Sequence, residues 1–273
     1  MELEITKKYK DFIDKLRKSY KPQEICSSIN EFDPTKHKML LDFIDFENTK
    51  IKSLGVLELI DNDCSFSKNI TDIGNLIAVS GYLKFNDSKI NDLKNLRVVM
   101  GEVVFEKNQK DIGKLEYIGM SAWFEGSGIT DLKNLKVIGH DTSFENSRVE
   151  NLGDLTIVYG DVVLTNSKIS KLGNLHSVNR IWLNNITDFG NLTNVYGSAF
   201  GDKKIVSLLL EHLDNMKNVS VIKKQICYVK DSLSYIVNKK SVGQIKTNQF
   251  LINNDEFGLI FSLDGDIIFN FNN

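Results

Sequence analysis

The chain contains few of the residues that mark linkers, disulfide-rich domains or membrane segments. Two prolines in 273 residues leave no stiff proline-rich linker. Cys26, Cys64 and Cys227 are odd in number and far apart, so their spacing supports neither a disulfide framework nor a CxxC metal site. The sequence has no long apolar run and no signal-peptide pattern. We therefore expect a cytoplasmic protein without a membrane segment.

The chain also has little net charge. Its 34 Lys and Arg residues nearly balance its 36 Asp and Glu residues, which leaves a formal net charge of -2 and a pI of about 6.1. Such a balance creates no overall positive field that would attract nucleic acid or an anionic membrane. We expect neither of these as a partner.

Sequence motifs for catalysis are absent as well. The chain has no G-x-S-x-G, H-E-x-x-H, Walker or G-x-G-x-x-G motif. The four histidines, His37, His140, His176 and His212, belong to no recognisable motif, and surface or turn positions explain them better than metal binding. The sequence therefore predicts a protein that is not an enzyme, with no catalytic residue, no metal and no cofactor.

The chain is dominated by a tandem repeat of about twenty residues. Full copies begin at Ile70, Ile90, Gln109, Ile129 and Val149. A diverged copy begins at Ile51, and shortened copies begin at Ile169 and Ile186. A period this short and regular predicts a solenoid, in which each unit stacks on its neighbours and none folds alone.

The pattern within each copy predicts its local structure. Apolar residues recur at positions one, four, seven and ten, a spacing that fits a tight, 3₁₀-like or irregular arc. A glycine follows, and the next residues alternate, as in Val103 and Phe105, which indicates one short strand per copy. We expect a β-rich solenoid of about eight coils whose strands form a parallel sheet.

These residues resemble the leucine-rich repeat family, most closely the short glycine-containing repeats of receptor L-domains. The motifs are Leu132–Leu135–Ile138 with Phe144–Asn146, and Ile73–Leu76–Val79–Gly81 with Leu83–Phe85, within residues 45 to 200. The resemblance implies a horseshoe or β-helix-like scaffold that binds macromolecules through one face. The turn asparagine is present only in some copies and the bracketing disulfides are missing, so a role as a secreted receptor does not carry over.

The repeat divides the chain into three segments. Residues 1–44 form a predicted N-terminal helical cap, in which an amphipathic helix over residues 1–22 would cover the open end of the solenoid. Residues 45–201 form the leucine-rich-repeat solenoid. Residues 202–273 read as an α+β C-terminal cap or a separate functional module, with Asp202 as a helix N-cap and Asp264-Gly265 as a hairpin turn.

The outward positions of the predicted strands are the candidate partner-binding site. Two tryptophans and two valines in one outward column are unusual, because a sheet face must be covered or used. The predicted site residues are Trp123, Trp182, Val104, Val163 and Lys84, bordered by Glu102, Glu106, Glu125, Asp141 and Glu145. Two alternatives are that another segment folds over this face, or that the register of the shortened copy shifts by one and buries Trp182.

These features favour a non-enzymatic protein-binding scaffold whose partner is basic or mixed in charge. One alternative is a structural subunit of a larger, for example viral, assembly, and self-association stays open for that reason. A further alternative is an effector whose activity lies in the C-terminal module.

Overall fold

The computed structural model describes residues 2–47 and 49–215, together with six strands between residues 225 and 272. These residues form a parallel-strand β-solenoid of about eight coils with an N-terminal helix. The predicted β-rich solenoid of about eight coils is confirmed. Two short 3₁₀ helices, Pro22–Glu24 and Ile29–Glu31, precede the regular coils.

The coils build two parallel sheets, where the repeat pattern predicted one strand per copy. Positions nine and ten pair in register with the neighbouring coils, as Val137–Ile138 pairs with Ile157–Val158, so they form a second strand. Sheet A consists of Ile25–Cys26, Met39–Leu40, Leu59–Ile60, Ala78–Val79, Val98–Val99, Tyr117–Ile118, Val137–Ile138, Ile157–Val158, Ser177–Val178 and Asn194–Val195. Sheet B consists of Ile44–Asp45, Cys64–Ser65, Leu83–Lys84, Val103–Val104, Ala122–Trp123, Thr142–Ser143, Val162–Val163, Ile181–Trp182 and Ala199–Phe200.

The first sheet A strands lie within the segment assigned to the N-terminal cap. Ile25–Cys26 pairs with Met39–Leu40, and Met39–Leu40 pairs with Leu59–Ile60. The coil stacking therefore begins before residue 45, because residues 39–46 already carry the apolar pattern of a coil.

A ladder of phenylalanine rings fills the core between the sheets. Each ring follows a sheet B strand by one residue and points inward, as expected from the alternation. The rings of Phe105, Phe124 and Phe144 are stacked, with centroids 4.6 and 4.9 Å apart. Leu164 and Leu183 take this position in the following coils and are also buried. The ladder continues to the first coil through Phe46, Phe66, Phe85 and Phe105.

Aspartates at position three order the turn that opens most coils. The carboxylate of Asp111 accepts a hydrogen bond from the backbone N–H of Gly113 at 2.8 Å, and Gly113 adopts a left-handed φ of 59°. Lys133 of the following coil forms an ion pair with Asp111. Although partial burial opposes ionisation, these hydrogen bonds lower the pKa of Asp111.

The N-terminal helix, α1 (Glu2–Ser19), lies along the outer face of sheet A. The expectation that it covers the open end of the solenoid is wrong. Seven consecutive strands present apolar residues outward, and this long apolar surface matches the apolar stripe of α1. Tyr9 of α1 stacks on Tyr117 with ring centroids 4.2 Å apart. We call the outward residues under the helix the sheet A column: Met39, Leu59, Ala78, Val98, Tyr117, Val137 and Ile157.

Polar contacts fix the orientation of α1 on this column. The Arg17 guanidinium donates hydrogen bonds to both carboxylate oxygens of Asp61 at 2.9 Å from Nε. The Tyr20 hydroxyl donates to Glu58 Oε2 at 3.2 Å. Burial, followed by the charge of Glu58, raises the pKa of Tyr20. Helix α1 therefore runs from the middle of the solenoid towards its first coil, because Tyr9 contacts a middle coil and Arg17 contacts an early one.

A second helix, α2 (Lys203–Asn215), packs against the last coil. Asp202 caps it as predicted, since its Oδ1 accepts a hydrogen bond from the Ile205 N–H at 2.9 Å. Val206 and Leu209 are fully buried and join the core of the solenoid. The core is thereby closed at its C-terminal end.

The six remaining strands pair antiparallel in two sheets, as the α+β reading of this segment predicts. Gln225–Lys230 pairs with Leu233–Asn238. Val242–Lys246 pairs with the first strand of the series Gln249–Asn254, Phe257–Ser262 and Ile267–Asn272. The last two strands flank the predicted hairpin turn, Asp264-Gly265, which itself lies outside the described residues.

Candidate partner-binding face

The outward side chains of sheet B form one continuous column because the strands pair in register. Val104 pairs with Trp123, and Trp123 with Ser143. Ser143 pairs with Val163, and Val163 with Trp182. The structure therefore places the predicted column residues on neighbouring strands. We call them, together with Ser143 and Phe200, the sheet B column: Lys84, Val104, Trp123, Ser143, Val163, Trp182 and Phe200.

The register of the shortened copy places Trp182 on the outside. Ile181 is fully buried in the core, and its neighbour Trp182 is only half-buried. The alternative of a one-residue shift is therefore wrong.

Phe200 extends the column by one strand and was missed in the sequence. Its ring stacks on Trp182, with centroids 4.5 Å apart and planes inclined by 14°. The available signal was the pair Ala199-Phe200, which repeats the buried-then-outward order of Ile181–Trp182.

The side chains of the sheet B column pack against one another, and most of them are half-buried. Val104, Trp123 and Val163 are half-buried, and Lys84 is exposed. Ser143 is 4% exposed because it lies between the larger side chains of Trp123 and Val163. The two described helices lie elsewhere, since α1 covers sheet A and α2 packs against the core of the last coil.

Carboxylates border the column on both sides. The residues two positions before and two positions after the outward residue of a strand flank its side chain, and the five predicted acidic residues occupy these positions. None of the ion pairs between described residues includes them. They are Glu102, Glu106, Glu125, Asp141 and Glu145.

One basic residue lies at the C-terminal end of this border. The Arg180 guanidinium forms an ion pair with Asp161 at 2.5 Å and lies 5.5 Å from the ring centre of Trp182. The hydrogen bond to Asp161, outweighing the effect of burial, raises the pKa of Arg180. The column thus holds one cation over a tryptophan face, in a cation–π contact.

Three of the four histidines have side chains within hydrogen-bonding distance of neighbouring residues. The His37 Nδ1 accepts a hydrogen bond from the Asp33 N–H at 2.9 Å, and the His212 Nε2 lies 3.1 Å from the Leu192 carbonyl oxygen. His176 contacts the Thr193 hydroxyl. Within the described part of the chain, no group of three or more His, Cys, Asp or Glu side chains is placed to hold a metal ion.

Comparisons with known proteins assign no family. No protein-family model, curated protein or solved structure matches the chain. Among the described residues, neither helix is long and apolar enough to cross a membrane. The fold and its surface therefore carry the functional argument.

Proposed function

We propose that the protein is a non-enzymatic scaffold that binds a protein partner through the sheet B column. The contrast between the two columns carries this proposal. Beyond Ile157, the last residue of the sheet A column, the same position holds Ser177 and Asn194, so the apolar surface ends with its helical cover. From Val104 to Phe200 the sheet B column is apolar except at Ser143, and neither described helix lies on it. Such a face is typical of a binding surface.

The chemistry of the column supports a protein partner. Tryptophan is enriched among residues that dominate binding energy, and Trp123 and Trp182 lie three strands apart on one face. The carboxylates on both borders favour a partner that is basic or mixed in charge and disfavour nucleic acid. The resemblance to leucine-rich repeats agrees with this function, and membership of that family is part of the proposal.

The scaffold would act by presenting a rigid, already ordered surface to its partner. Each inner sheet B strand is hydrogen-bonded to the coils on either side, as the Val103 N–H donates to Ser121 O at 2.9 Å. The column therefore meets its partner already ordered, and little conformational entropy is lost on binding.

Capture of partners by the full-length chain tests this function. The native protein and a Trp123→Ser/Trp182→Ser variant are used to pull down proteins from a lysate of the source cells, and captured proteins are identified by mass spectrometry. We expect a partner that the native chain retains and the variant loses, with a cost per tryptophan of about 2 kcal/mol or more. Tyr196→Ser is the matched control, because Tyr196 is 47% exposed and lies off the column.

The other outcomes separate the alternative functions. Equal capture by both proteins would refute binding through the column and would favour the C-terminal module. Capture of the chain alone would instead indicate a self-assembling structural subunit. Circular dichroism of each variant shows whether the solenoid is intact.

A further inference from the structure

The molecule itself shows how one of its apolar columns is covered. Helix α1 lies along the sheet A column with Tyr9 and Ile13 buried against it. The basic side chain of Arg17 at the edge of the helix reaches Asp61 beside the column. An amphipathic helix with a basic residue at its edge therefore covers one apolar column of this solenoid.

The spacing of the strands explains why a helix fits. Neighbouring strands lie ~4.8 Å apart, and a helix rises ~5.4 Å per turn, so about one side chain per turn meets each strand. On sheet A, Tyr9 contacts Tyr117 and Arg17 contacts Asp61, which follows a strand three coils away. Eight helical residues span ~12 Å and three strand spacings span ~14 Å, so the two repeats stay nearly in step.

The strands of the sheet B column have the same spacing, and the carboxylates along its borders favour a basic helix more strongly. From Val104 to Phe200 it crosses five strand spacings, or ~24 Å, which about 16 helical residues would span. Its two tryptophans are three spacings apart, close to three helical turns. Its border carboxylates, unlike Asp61 on sheet A, form no ion pair between described residues. Glu106 and Asp141 each accept one backbone hydrogen bond, and a carboxylate keeps further lone pairs that accept Lys or Arg.

We infer that the sheet B column binds a basic amphipathic α-helix of a partner protein. The apolar stripe of that helix lies on Trp123, Val163 and Trp182, and its Lys and Arg residues lie on the carboxylates at both borders. This inference rests on the proposed function and specifies the partner of the same site. It predicts partner recognition by the helical arrangement of residues, and not by charge alone.

Three synthetic peptides of about 18 residues, a length that spans the column, serve as probes. The first is a helix former with one leucine stripe flanked by lysines. The second has the same composition, rearranged so that the leucines are spread around the helix. The third carries glutamate in place of every lysine. Binding to the full-length chain is measured by titration calorimetry at low and at moderate salt.

We expect the first peptide to bind at least about tenfold more tightly than the other two, and more weakly as salt increases. Trp123→Ser/Trp182→Ser should weaken it about tenfold or more, and Tyr196→Ser should leave it unchanged. A variant with Glu102→Gln, Glu125→Gln and Glu145→Gln should lose most of the salt dependence. Equal binding of the rearranged peptide, or tryptophan-independent binding, would overturn the inference.

The two proposals fail in different ways. If the peptides fail but a purified protein partner still binds through the tryptophans, only the helical mode of recognition is wrong. If tryptophan-dependent binding of any protein is also absent, the proposed function fails with it.

Discussion

Replacing Phe124 by alanine tests the phenylalanine ladder that holds the solenoid together. The ring is fully buried and stacked on both sides, 4.6 Å from the ring of Phe105 and 4.9 Å from that of Phe144. Truncation removes both stacked contacts and leaves a cavity. We expect a loss of about 3–5 kcal/mol in the free energy of unfolding. The upper part of this range applies, because hydrogen bonds to both neighbouring coils hold the backbone and limit collapse.

Phe124→Leu is the matched control for this prediction. Leu164 and Leu183 occupy the same position in later coils and are buried, so the coil accepts leucine there. An apolar side chain of similar volume keeps most of the contacts, and the expected cost is below about 1.5 kcal/mol.

Both variants are compared with the native chain in denaturant unfolding, followed by circular dichroism and by tryptophan fluorescence. Trp123 lies beside the altered residue and Trp182 three strands further along. Single-tryptophan versions therefore report whether distant coils unfold together, as strong coupling between neighbouring repeats requires. A cost for Phe124→Ala below about 1 kcal/mol, or no greater than that of Phe124→Leu, would refute the ladder as a main source of stability.

Two further predictions concern α1 and the turn carboxylates. Tyr9→Ala should lower the free energy of unfolding by about 3 kcal/mol, because a buried, stacked ring is lost. It should also make α1 sensitive to protease. Lys10→Ala, which changes an exposed residue on the same helix, should have neither effect. Because folding lowers the pKa of Asp111, its stabilisation is complete at neutral pH and is lost as the pH falls below the ordinary carboxyl range of about 4. Lys133→Met, which removes the ion-pair partner, should therefore flatten the acid side of the stability–pH profile measured by urea unfolding, and an unchanged slope would contradict the assignment.

The repeat pattern was sufficient to predict the solenoid and the inward residues. Leu132, Leu135 and Ile138 are fully buried, as their three-residue spacing required. The same alternation placed Trp123 and Val163 on the outside of sheet B. These features follow from the sequence because each copy repeats the same local constraint, and stacking leaves no other way to bury the apolar positions.

The second sheet and the position of α1 were not predicted, because neither follows from the pattern within a single copy. Position nine is apolar from Met39 to Ile157, but the three-residue spacing of the buried positions passes over it. Seen alone, the amphipathic pattern of α1 specifies that one face must be buried and says nothing about the surface that buries it. Only the assembled coils reveal the column that matches its stripe.

The two columns are apolar at opposite ends of the solenoid, and this asymmetry links stability to binding. The sheet A column is apolar from the first coils, whereas sheet B begins with outward Asp45, Ser65 and Lys84. The early and middle coils are therefore held by their own helix. The later coils carry Trp182 and Phe200, and neither described helix lies on them. A partner that binds only the folded chain adds stability by mass action, and it adds most where the internal cover is missing. If the proposed partner binds the sheet B column, the C-terminal coils are the part of the solenoid that it would stabilise most.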